Sequence, residues 1–92
     1  MFTVIAFDVV DDRVRYRVVK VLRKYAVRVQ KPVFEAAHLP ANHLRRMQQQ
    51  IDRLIDPSKD KVRYYFLCGS CLPRIESRGP GDIARYEEFR VI

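Results

Sequence analysis

The 92-residue chain is 48% hydrophobic and carries 18 Lys and Arg against 11 Asp and Glu, a formal charge of +7. A chain this short buries one modest core, which excludes a second domain and predicts a single unit over residues 1–92. The positive field concentrates phosphate polyanions near the surface, so nucleic acid is the expected partner class, and a core this small without disulfides favours self-association.

The opening Met1 to Phe7 is apolar, yet it has no basic leader and stops at Asp8, far short of a signal peptide core or a membrane span. With Cys68 and Cys71 as the only cysteines, the expected setting is the reducing cytoplasm, away from any membrane. Phe2 to Phe7 (FTVIAF) is rich in β-branched and aromatic residues and reads as a central strand covered on both faces. Asp8 to Asp12 (DVVDD) breaks it, with Asp12 as the expected N-cap of a helix.

From Arg13 to Tyr25, Val14, Val18, Val21, Leu22 and Tyr25 recur at intervals of three and four, placing them on one buried helical face. The opposite face gathers Arg13, Arg17, Lys20, Arg23 and Lys24, with Arg15 at its edge. Ala26 to Ala36 reads as strand, kink, strand, because Pro32 cannot donate to a ladder; the second half is expected to begin at a sheet position with a free side. Pro40 to Ile55 repeats Leu44, Met47, Ile51, Leu54 and Ile55 at helical spacing until Asp56-Pro57 stops it.

Lys61 to Cys68 (KVRYYFLC) alternates as a further strand, both of whose faces are expected to be partly covered. Leu72 to Arg78 is read as a short edge strand, Gly79 to Asp82 as a hinge, and Tyr86 to Ile92 as a terminal strand. The order matches the α+β, ferredoxin-like βαββαβ arrangement, with the extra C-terminal strand free to pair with a second copy in a two-fold homodimer.

Asp8 is the leading chemical candidate, because carboxyl ends of strands are where open sheets present ligand groups and a carboxylate there can bind a hard cation. One carboxylate rarely holds Mg²⁺ alone, but two copies of Asp8 across a two-fold axis would supply the missing ligand. Arg15, Arg17 and Arg28, flanked by Tyr16 and Tyr25, are candidates for gripping phosphates, with no element that reads base sequence. Cys68 and Cys71 have a metal or redox spacing, but zinc needs two more ligands, for which only His38 and His43 are at hand, and Leu72-Pro73 argues against a thioredoxin-type helix. Core or turn thiols are expected. No Ser-His-Asp or Cys-His spacing supports covalent catalysis.

FTVIAFDVVDD, the basic segment RVRYRVVKVLRKYAVRVQ and the run QKPVFEA together resemble the second CRISPR-associated protein family, "Cas two", in order from Phe2 to about Phe66. The resemblance implies a homodimer whose terminal strands cross to the partner, with Asp8 of each subunit facing the other around Mg²⁺. It implies metal-dependent endonuclease activity on RNA or DNA, and a role with the integrase partner "Cas one" in spacer insertion, where the small dimer holds duplex DNA. The family's functional basic residues map onto Arg15, Arg17 and Arg28, and the aromatic of its VFE segment onto Phe34. Phe7 stands where the family commonly has Tyr, a change expected to remove a proton or water contact beside the metal. Two rival readings are a non-catalytic DNA bridge that recruits an integrase, and a toxin-like ribonuclease of similar fold.

Overall fold

The computed structural model describes residues 1–76 and 78, so the sequence-predicted hinge at 79–82 and terminal strand at 86–92 lie outside the described residues. The elements are β1 (Phe2–Asp8), α1 (Asp12–Arg23), β2 (Val27–Gln30), β3 (Val33–Ala36), α2 (Ala41–Leu54) and β4 (Lys61–Leu67). The strands lie in the order β2-β3-β1-β4, every neighbouring pair antiparallel. Each helix therefore crosses over a strand that separates the two it joins, the split βαβ topology of a ferredoxin-like α+β fold.

The apolar spacing decides which sheet face is covered. Ile5 and Phe7 of β1 and Phe34 and Ala36 of β3 point to the same side, where they cluster with Val18, Val19 and Leu22 of α1 and with Met47 and Ile51 of α2. Ile5, Phe34, Val18, Leu22, Met47 and Ile51 are each 0% exposed, so loss of any one would open a cavity in the only layer between sheet and helices. Tyr64 of β4 packs against this core. Its hydroxyl is buried without a partner among the described residues, and burial, reinforced by the charge of Asp52, pushes its phenol up to about 12.

Successive strand residues alternate sides, so Val4, Ala6 and Asp8 face away from the helices, beside Tyr65, Arg63 and Lys61 of β4. Val27 and Glu35 share that open side. β4 is partly covered on both faces, as its sequence suggested: Tyr65 is 45% and Phe66 48% exposed, β4 being the last strand on its side of the sheet among the described residues.

Three expectations change. The α1 cap is Asp11, not Asp12: its carboxylate accepts from Arg13 N at 2.9 Å and Val14 N at 3.0 Å, leaving Asp12 as the first helical residue. Pro32 precedes an interior strand, since β3 lies between β2 and β1, and the free side belongs to β2. Pro32 occupies the β2–β3 turn, where its missing N–H costs no ladder bond and its carbonyl accepts from Phe7 N at 3.0 Å. The described residues of the 72–78 stretch form no strand; Leu72–Arg74 is one turn of 3-10 helix with Pro73 near its start, where Pro fits. Cys68 and Cys71 are exposed thiols in the turn after β4, the second of the two settings expected for them.

Candidate functional site

Asp8 ends the central strand β1 and is exposed on the open sheet face, opposite Lys61 in the ladder. Its carboxylate has no hydrogen bond or ion pair among the described residues. The neighbouring Phe7 points the other way, is 6% exposed, and packs at 6.1 Å between ring centroids on Phe34. The expectation that Phe7 removes a contact beside the metal is thereby corrected: a hydroxyl on this ring would enter the core, on the opposite side of the strand from Asp8.

The loop after Asp8 is held from two directions. Arg15 folds back from α1, its Nε and Nη2 donating to the Val9 carbonyl at 3.1 and 2.9 Å and its Nη2 also to the Val10 carbonyl at 3.2 Å, while Nη1 pairs with Asp12 at 2.6 Å. From the other side Asp60, 6% exposed, accepts from Val10 N at 3.0 Å and from Asp56 N at 2.8 Å. One carboxylate thus ties the β1–α1 loop to the α2–β4 loop. Asp60 was missed in the sequence because its partner Val10 lies 50 positions away. The available signal was an acidic residue directly before a strand that pairs with β1, and that signal is weak.

The other sequence candidates separate into different roles. Arg17 is exposed, and its side chain makes no hydrogen bond or ion pair among the described residues, so its guanidinium faces solvent. Lys20 stands 5.6 Å over the Tyr16 ring on the same helix, a cation on an aromatic platform. Arg28 donates through Nε and Nη2 to the Lys31 carbonyl at 3.0 and 2.8 Å and lies 5.7 Å above the Phe34 ring. Phe34 itself is 0% exposed. Its assignment as a nucleic-acid contact is corrected on that ground: a ring with no accessible surface cannot stack on a base, and it supports Arg28 instead.

Among the described residues no group of three or more His, Cys, Asp or Glu converges as a metal site. Asp8 alone offers one exposed, hard oxygen donor, which suits Mg²⁺ where waters, phosphate oxygens or a second carboxylate complete the shell. Among the described residues, no helix is long and apolar enough to cross a membrane.

Comparison with known proteins agrees with this architecture. The family model described as CRISPR associated protein Cas2 matches residues 1–75. The chain is 49% identical over 67 residues to the CRISPR-associated endoribonuclease Cas2 3 of Chloroflexus aurantiacus, covering 73% of this chain and 71% of that one. Cas2 of Streptococcus pyogenes, crystallised at pH 6.5, superposes with a TM-score of 0.75 at 25% identity, covering 86% of this chain and all of that one. A chain of a structure titled as a partial Cas6-RT-Cas1–Cas2 complex superposes with a TM-score of 0.72 at 28% identity, covering 83% and 82%. With the family model spanning the whole βαββαβ unit, the chain belongs to the CRISPR-associated Cas2 family.

Proposed function

We propose that this chain is a CRISPR adaptation protein: a homodimeric, metal-dependent endonuclease that cleaves RNA or DNA and works beside an integrase of the Cas1 kind. The observation that carries this reading is Asp8, a carboxylate at the end of the central strand that, among the described residues, is unpartnered and lies on the sheet face the helices do not cover. Packing that face against a second copy would bring the two Asp8 side chains toward one axis and cover the exposed Val27 and Tyr65. Asp8 from each subunit would hold Mg²⁺, which when bound supplies an acidified water and stabilises phosphoryl charge.

The protein's own part in the reaction is positional. Arg15 and Asp60 fix the loop that follows Asp8, so the carboxylate is presented without further ordering when the substrate arrives. Arg17 and the other exposed cations of α1 draw the phosphodiester backbone to the helix, and Arg28 is held in place by Phe34 and the Lys31 carbonyl with part of its guanidinium still available. The names of the relatives, endoribonuclease and endonuclease, support the activity, and the Cas1–Cas2 assembly supports the partner.

A second reading, a duplex-binding bridge without turnover, is favoured by one observation: among the described residues no cluster of ligand-type side chains gathers around Asp8, while the cationic face of α1 is extensive. One experiment separates the two. Nuclease assays on RNA and DNA with Mg²⁺, on wild type and Asp8→Ala, are run alongside duplex binding on the same samples. Cleavage that vanishes in the variant and on chelation supports the nuclease. Cleavage that is undiminished in Asp8→Ala overturns it, and binding without cleavage in either protein selects the bridge.

A further inference from the structure

Cys68-Gly69-Ser70-Cys71 leaves the end of β4 as a closed turn, with Cys71 N donating to the Cys68 carbonyl at 3.0 Å. That i to i+3 closure holds the two Cα atoms within about 7 Å, and a disulfide spans Cα separations of about 4.4–6.8 Å. The sulfurs already touch, at 3.4 Å. The turn is anchored on both sides, by Leu67 paired with Phe2 before it and by Leu72, 2% exposed, after it.

The pair is also accessible and asymmetric. Both thiols are exposed, and nothing lies within 4 Å of the place a side chain would occupy at Gly69 between them, so a small molecule can reach the turn from solvent. Cys68 Sγ lies 3.0 Å from Ser70 Oγ, and the Ser70 hydroxyl, the Cys71 thiol and the backbone N–H groups of Cys71 and Ser70 favour its ionised form, holding it at about 7. Cys71, hydrogen-bonded to Cys68 and facing its charge, is pushed up. When Cys68 is ionised, Cys71 therefore donates across the contact. One sulfur is suited to attack and the other to follow.

We propose that Cys68 and Cys71 form a dithiol–disulfide exchange site for low-molecular-weight disulfides, with Cys68 attacking and Cys71 resolving. The Cys68 thiolate attacks one sulfur of a disulfide RSSR, forming a Cys68–S–S–R bond and expelling RS⁻, which takes up the proton Cys68 released. Cys71 then loses its proton and attacks the Cys68 sulfur, forming the Cys68–Cys71 bond and expelling a second RS⁻, which takes that proton. Two protein thiols are oxidised to one disulfide and RSSR is reduced to two RSH. The product closes the turn through which β4 leads into the rest of the chain.

The test uses the full chain, glutathione disulfide with reduced glutathione, acid quenching and intact mass spectrometry. Wild type is expected to lose two hydrogen atoms without accumulating a glutathione adduct. Cys71→Ser is expected to stall with one glutathione on Cys68. Cys68→Ser, left with a thiol of ordinary acidity, is expected to react about three- to fivefold more slowly at pH 7, after allowing for the lower nucleophilicity of a more acidic thiolate. A stable adduct on wild type, a disulfide-linked dimer on a non-reducing gel, or equal rates for the two variants would each overturn the assignment. Both substitutions are at exposed turn positions, and unchanged far-ultraviolet circular dichroism confirms that the fold is intact.

Discussion

Replacing Asp60 by Ala removes the carboxylate that joins the loop after Asp8 to the loop before β4. Two hydrogen bonds are lost, from Val10 N at 3.0 Å and Asp56 N at 2.8 Å. A hydrogen bond to a charged acceptor contributes about 1.5–3 kcal/mol. Val10 and Asp56 lie in exposed loops, so water can replace part of what is lost, and the net cost comes to about 2–3 kcal/mol. For a domain of this size that corresponds to a fall in Tm of about 8–24 °C. Urea and thermal denaturation should be compared at one fixed protein concentration, because association contributes to apparent stability. A loss below about 0.5 kcal/mol would refute the view that Asp60 ties the two loops, since that is the range of an ordinary surface substitution.

Arg15 and Arg17, two residues apart on one helix, should respond differently. Arg15→Ala frees the Val9 and Val10 carbonyls to solvent; with the Arg15 side chain 42% exposed, the expected stability loss is reduced to about 1 kcal/mol. Arg17→Ala should leave the urea midpoint unchanged and instead lower the salt dependence of duplex binding by about one phosphate contact; equal behaviour of the two variants would contradict the roles assigned. Tyr64 sets a pH dependence at the alkaline end. Its folded value is raised to about 12 from 10.0, so its contribution to stability is complete below about 10 and is lost as pH rises toward about 12; ultraviolet titration should show one of the five tyrosines ionising last, and Tyr64→Phe should remove that late step.

Periodicity carried most of the architecture. Val18 and Leu22, and Met47 and Ile51, sit four apart and reached the core as their spacing required, and the unbroken FTVIAF run became the central strand. Pro32 misled because a proline at a strand start is compatible with either neighbour being the edge, and only the pairing of Val33–Ala36 with both β1 and β2 identifies β3 as interior. Leu72 to Arg78 was read as an edge strand interrupted by Pro73, yet Pro73 fits the first turn of a helix as well as an edge strand, and at Leu72–Arg74 the local turn prevailed.

The site was legible in its position and illegible in its wiring. Asp8 was identified because strand ends follow from local pattern. Whether an arginine is spent on backbone carbonyls, as Arg15 is, or left to solvent, as Arg17 is, depends on where a loop returns in space. The same holds for Phe34, whose place in the VFE run does not reveal which side of the sheet it faces.

The two rims of the sheet are unequal. β2 is interrupted by a register shift between Arg28 and Gln30 and turns away into Pro32, whereas β4 runs seven residues in unbroken register against β1. A fibre grows only when every molecule offers two compatible rims, one to receive and one to extend. With one rim bent, strand addition to the sheet of the described residues ends once its straight side is taken, which guards the molecule against polymerising with itself.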